Sequence, residues 1–411
     1  MVACIVIMFI IKLYKNDLAH PIFFFSAFWL LILFMAFLRL RGYYAADNFT
    51  LLIYLIGIIS FCFGGLILGE KCLVINEKKT INDNKETLNY RLFYIVCLFV
   101  LVYSSMKFMR VLPLIQHGLS FAEIRALYWT LGSGITTNAL DYFIDNTINK
   151  GLQLVVIVVV ISEIARGNNN RKLIMFLIPI IILTAAISGG RLVFFDLVIC
   201  IIMAFVVYKR KVRLSSKAKK MIITSGTIAV IGMIYLTIQR QGHEGFLMAL
   251  YGNFTLNVPL MNHAVSMVKD TGDITYGMIF FRGLIEPIST VFQAFNLIKT
   301  PDSFITLSKY TVPFFDIGGG NRANAYTSAF FYFYLDGRLI GVFLGSTIYG
   351  MFCTNFYNKM KKNLSTKNVA MFLLVTDTIF RTMISFSFSI PSYVLALIVI
   401  PLLYKKIKVS L

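Results

Sequence analysis

Apolar runs long enough to cross a lipid bilayer recur from one end of this chain to the other, separated by short charged turns. A helix rises about 1.5 Å per residue, so roughly 20 apolar residues match a hydrocarbon core of about 30 Å. On that measure about eleven spans are expected. They lie near Val2 to Leu13, Pro21 to Leu38, Phe49 to Gly69, Leu92 to Phe108, Leu152 to Ala165, Leu173 to Ile187, Leu192 to Tyr208, Met221 to Ile238, Leu339 to Tyr357, Val369 to Phe386 and Ser392 to Tyr404. Hydrophobic residues make up 58% of the 411 and charged residues only 14%, against about 25% charged in soluble chains. A soluble domain is excluded. The expected fold is an all-α polytopic integral membrane protein, one membrane domain over residues 1–411.

The net charge is +20, from 39 Lys and Arg against 19 Asp and Glu. A nucleic-acid partner would require these charges on one patch. They fall instead in short clusters between apolar runs, so no nucleic acid is expected. Short basic loops stay in the cytoplasm. Clusters at Lys71 to Arg91, Arg166 to Lys172, Lys209 to Lys220, Lys359 to Lys367 and Lys405 to Lys408 share one side of an eleven-span chain, which makes the C-terminus cytoplasmic. The N-terminus then lies outside, behind a first run barely long enough to cross, which leaves room for one further N-terminal helix ahead of it. No basic stretch precedes that run and no small-residue cleavage site follows it, so no cleavable signal peptide is read.

Two segments on the outer side are long: 109–150, the first outer loop, and 239–338, the large outer loop between spans eight and nine. Loops of more than about 15 residues are usually functional. In the second, Phe246 to Val268 and Gly277 to Ile298 are apolar enough for interfacial or re-entrant helices. Were both to cross fully, Lys269 to Tyr276 would be a cytoplasmic turn without the basic signature. The six cysteines lie in spans or on the inner side, which gives no extracellular disulfide framework.

Basic residues on the outer side are mainly arginine, among them Arg39, Arg41, Arg110, Arg125, Arg191, Arg240, Arg282, Arg322, Arg338 and Arg381, while the inner clusters favour lysine. Arginine presents a planar fork that binds phosphate or carboxylate oxygens in pairs. An outer surface that handles diphosphate or acidic sugar is one account; a low-GC gene rich in lysine codons is the other. Ser188-Gly-Gly-Arg191 is a turn that sets Arg191 near hydrocarbon depth, with Asp196 as an internal partner or headgroups as the alternative. Gly318 to Gly320 precede Asn321 and Arg322 and form either a flexible loop or a nest of N–H groups for an anion. Arg282 and Glu286, like Asp377 and Arg381, have the i, i+4 spacing of an ion pair. His243, Glu244, His263, Glu286, Asp316 and Asp336 are the outer candidates for a general base. No metal-ligand spacing, nucleophile elbow or phosphate loop occurs, so no metal site and no cofactor is expected.

The short Gly-Arg turn, the large late outer segment and the run NAYTSAFFYFYLDGRLIGVFLGSTIYG from Asn324 to Gly350 resemble Wzy-type repeat-unit polymerases of O-antigens and capsular polysaccharides. The motif covers only about thirty residues. The resemblance implies a metal-independent glycosyltransferase of the integral-membrane C-type class in the bacterial plasma membrane, usually with twelve or more spans. Its substrate would be an undecaprenyl-diphosphate-linked oligosaccharide, its other partners membrane lipid and a chain-length regulator protein. Arg191, Arg240, Arg282 and Arg322 would hold the donor diphosphate, and His243, Glu244, His263 or Asp316 would serve as base. An O-antigen ligase uses the same donor. A flippase or exporter is the reading from another class, disfavoured because the expected spans hold few charges beyond Asp196, Asp377 and Arg381.

Overall fold

A computed structural model describes residues 1, 5, 17–70, 86–130, 132–168, 170–208, 216–241 and 246–406. In chain order these form α1 (Pro21–Leu38), α2 (Asn48–Glu70), β1 (Glu86–Leu88), α3 (Tyr90–Gln116), α4 (Phe121–Trp129) and α5 (Ala139–Phe143), which runs through a π-helical turn into α6 (Lys150–Ala165). Next come α7 (Arg171–Ser188), α8 (Leu192–Tyr208), α9 (Ser216–Gln241), α10 (Phe246–Thr255), α11 (Asn257–Thr271), α12 (Arg282–Ala294) and α13 (Asp302–Thr311). The hairpin strands β2 (Phe315–Gly318) and β3 (Asn321–Ala323) precede α14 (Ser328–Lys362), α15 (Thr366–Phe380), α16 (Pro391–Leu402) and β4 (Tyr404–Lys406). The structure is 77% helical.

Every expected span after the first coincides with one of these helices, while Val2 to Leu13 falls almost wholly outside the described residues. Among the described residues, six helices are long and apolar enough to cross a membrane: Pro21–Leu38, Asn48–Leu68, Tyr90–Gln116, Ala139–Ala165, Arg171–Ser188 and Ser328–Lys362. Two expectations shift. The first long segment is shorter than 109–150, because α3 continues to Gln116 and the next long helix begins at Ala139. α15 stops at Phe380, where Arg381–Met383 tightens into a 3₁₀ turn, short of Phe386. α11 and α12, of 15 and 13 residues, are too short to cross about 30 Å of hydrocarbon.

The chain divides into two compact units, one of Met1–Thr80, Leu247–Lys362 and Thr378–Pro391, the other of Ile81–Phe246, Asn363–Asp377 and Ser392–Leu411. In the first, α2 and α14 pack along a seam of small residues. A Cβ on Gly64 would lie 2.0 Å from the Thr347 carbonyl, one on Gly350 2.0 Å from that of Phe61, and one on Gly57 2.3 Å from the Phe330 ring. Small residues let two helices approach where lipid provides no hydrophobic drive between them. Trp29 lies against Phe330 and donates its indole N–H to Thr382 at 3.1 Å. In the second unit, α6 is buried on every side, which matches its lack of a polar face. β1 pairs antiparallel with β4, and Lys367 bonds to the buried Glu86 beside that pairing.

Candidate functional site

The hairpin of the first unit brings expected site residues together. Asp316 pairs in register with Arg322 across β2 and β3. Its Oδ1 accepts from the Gly318 N–H at 3.0 Å and its Oδ2 from the Tyr44 hydroxyl at 2.8 Å. These two hydrogen bonds, with the Arg322 charge opposite, hold the Asp316 carboxyl below its ordinary range. The same contact raises the Tyr44 hydroxyl above its own. A carboxylate held that low is a weak proton acceptor. Arg322 is exposed and donates through Nη2 to the Phe314 carbonyl at 2.9 Å. His263 on α11 lies against Phe315 with ring centroids 4.3 Å apart. Partial burial lowers its imidazole from the usual value, so it is neutral near pH 7 and better suited than Asp316 to accept a proton.

Gly318, Gly319 and Gly320 all have positive φ, at 92°, 63° and 73°. A Cβ on Gly318 would meet the Gly42 carbonyl and the Tyr44 nitrogen at 2.8 Å, and one on Gly319 the Arg41 carbonyl at 2.4 Å. The Tyr44 N–H donates to the Ile317 carbonyl at 2.9 Å. Gly318 and Gly319 thus seat the turn on the 41–44 chain, while a Cβ on Gly320 would meet nothing within 4 Å.

Asp336 is fixed differently. It accepts from the Thr275 hydroxyl at 2.6 Å and from the backbone N–H groups of Ile279 and Phe280 at 3.0 and 2.7 Å. It therefore staples the 275–281 turn to α14 just before that helix kinks at Gly337 and Arg338, the latter at φ 54°. Three of its roughly four acceptor sites are thereby taken up by its own fold.

α12 has two faces. Leu284, Ile288, Val291 and Phe292 are exposed, with Phe295 continuing the row. Arg282, Glu286, Ser289, Thr290 and Gln293 repeat the same spacing about half a turn away and, with Thr300, Phe304, Ile305 and Ser308, line a cavity of about 270 Å³. Arg282 Nε and Nη2 donate to the two Glu286 oxygens at 3.0 and 3.1 Å, so the spacing does make the expected ion pair. The guanidinium carbon lies 5.2 Å from the centre of the Phe304 ring.

No family model, curated protein or solved structure matches the chain.

In the second unit, Gly189 ends α7 at φ 54°, and a Cβ there would lie 2.4 Å from the Phe121 carbonyl. What comes close to the Gly-Arg turn is thus the backbone of α4. Arg191 donates through Nη1 to Thr237 Oγ1 at 3.0 Å. Arg240 stands in the last turn of α9, and His243 and Glu244 lie outside the described residues. Arg191 and Arg240 belong to this second unit, Arg282 and Arg322 to the first.

One group of residues escaped the sequence reading. Lys107 on α3 is 1% exposed, with Nζ 3.2 Å from Asp145 and 3.4 Å from Asp141. Arg110 reaches Asp141 at 2.9 Å, and the Tyr103 hydroxyl donates to Asp141 at 2.8 Å. Asp145 lies in the π-helical turn Ile144–Asn149, a kind of irregularity frequent at functional sites. The signal was a lysine near the end of an apolar run, paired with acids placed in a loop that is helix.

Proposed function

We propose that this chain is a glycosyltransferase that polymerises undecaprenyl-diphosphate-linked oligosaccharide repeat units at the outer face of the bacterial plasma membrane, with its C-terminus in the cytoplasm. The observation that carries this reading is α12: an exposed apolar face backed by a polar, cavity-lining face, in a segment folded between membrane-long helices. A helix of that kind lies in the interface with its apolar side in the lipid. An enzyme whose substrates are polar sugars on lipid anchors works at that level.

The transfer breaks the bond from the anomeric carbon to the lipid diphosphate and forms one to the acceptor hydroxyl. The hydroxyl proton needs a base, for which His263 is best suited, and the departing diphosphate needs positive charge, which arginine supplies. Arg322, exposed on the hairpin of the same unit as His263, is the arginine assigned to that charge. Arg282 is not, because its fork is closed on Glu286.

Protein reconstituted in liposomes with lipid-linked repeat units tests the reading. Elongation without an energy source supports it, and a deletion strain that still makes full-length polymer overturns it. In that strain, accumulated single repeats indicate a polymerase and unattached long chains a ligase. One observation favours transport as a second reading: the buried Lys107 and Asp145 and the half-buried Asp141 lie in membrane-long helices, as charges in transporter pathways do. Translocation without new glycosidic bonds would establish it.

A further inference from the structure

The cavity between α12 and α13 has a lining that selects among ligands by charge. Its two charged residues, Arg282 and Glu286, oppose each other through two parallel hydrogen bonds of 3.0 and 3.1 Å. One of the two edges by which the guanidinium could grip a phosphate is thereby occupied. An anion placed here would also face the Glu286 carboxylate. The remaining polar groups are neutral. Ser289 and Thr290 donate to the Glu286 carbonyl at 3.0 and 2.8 Å, which leaves their oxygen lone pairs as acceptors. Gln293 adds a carboxamide, whose oxygen accepts from Thr300 at 3.4 Å. A wall of hydroxyls, an amide and a self-neutralised ion pair offers donors and acceptors in mixture, which complements a ring bearing many hydroxyls.

Size and position narrow the class further. At about 270 Å³ the cavity is just below the range of roughly 300–1,000 Å³ typical of pockets for drug-sized ligands. It has room for one sugar ring and not for an oligosaccharide. The opposite face of α12 is the exposed apolar row from Leu284 to Phe295, so a ring seated here sits one helix thickness from that apolar face.

We propose that the α12–α13 cavity is a subsite for a single neutral sugar ring, with the Arg282–Glu286 pair acting as one hydrogen-bonding unit and Gln293 and Thr290 as further ligands. The source of the sugar, a lipid-linked chain, rests on the function proposed above; the subsite itself rests on the cavity.

The test uses full-length protein in nanodiscs and saturation-transfer NMR. The probes are the methyl glycosides of glucose, galactose, mannose and N-acetylglucosamine, with methyl glucuronide and inorganic pyrophosphate as competitors. At least one neutral glycoside is expected to give a signal that Gln293→Ala and Thr290→Val each weaken about fivefold, the loss of one hydrogen bond. Excess pyrophosphate and glucuronide should leave it unchanged. Thermal unfolding of each variant identifies one that has merely failed to fold, and the other then decides. Displacement by pyrophosphate, or no glycoside signal dependent on either residue, overturns the subsite. Sugar binding by a protein that elongates nothing would keep the subsite and reject polymerisation; elongation without sugar binding would do the reverse.

Discussion

Asp336 and Asp316 lie twenty residues apart on one unit, and their partners give them opposite tasks. Asp336 is buried and accepts from one hydroxyl and two backbone N–H groups, so Asp336→Asn would turn an amide NH₂ toward donors. The variant is expected to lose about 1.5–3 kcal/mol of stability, the range for a hydrogen bond to a charged acceptor. Chemical denaturation in detergent micelles measures it; an inactive variant of normal stability would restore Asp336 as a base. Asp316 is exposed, and its carboxyl is held below the ordinary range by the Gly318 N–H and the Tyr44 hydroxyl. A depressed folded value means that its contribution is present above the unfolded value, about 3.9, and is lost as pH falls through the folded one. Carbon NMR of the Asp316 carboxyl should therefore show it still ionised at pH 4, and Tyr44→Phe should move its midpoint upward. Arg322→Lys keeps the charge and loses the fork. If Arg322 meets the leaving diphosphate, elongation should fall roughly a hundredfold at normal protein level, whereas a headgroup contact would tolerate lysine. The sequence named Asp316, Arg322 and His263 but not Tyr44, because nothing local in the chain points from residue 44 to residue 316.

Among elements, α12 was expected only as an apolar stretch from Gly277 to Ile298, and its polar stripe was read no further than the Arg282–Glu286 pair. The same periodicity, followed to Gln293, would have shown both faces. Tryptophan scanning checks the arrangement: Phe292→Trp should be strongly quenched by brominated lipid and Gln293→Trp weakly, and equal quenching would remove the interfacial placement. The α2–α14 seam was not legible at all. Glycines in apolar helices are common, and only packing distinguishes Gly350, whose Cβ would strike a backbone carbonyl at 2.0 Å, from Gly226 on α9, whose Cβ would meet Ile201 at an ordinary 3.8 Å. Overpacking of a tight site costs about 1–3 kcal/mol or more. Gly350→Ala should lower the unfolding temperature in detergent while Gly226→Ala leaves it within error.

At the scale of the whole molecule, the spans were legible because a 20-residue apolar run admits few alternatives. The division into two units was not, since each gathers three separate stretches that interleave with those of the other. That interleaving bears on how the molecule is made. α2 ends at Glu70 and its seam partner begins only at Ser328, more than two hundred residues later. At about 5–20 residues per second, synthesis of the intervening chain takes on the order of tens of seconds. Throughout that interval the glycine face of α2 is without its mate, a groove that a chaperone or an insertase would have to shield. Arrested nascent chains carrying a cysteine pair across the seam should cross-link only once residues past Lys362 have left the ribosome, and earlier cross-linking would mean that α2 is already closed by something else.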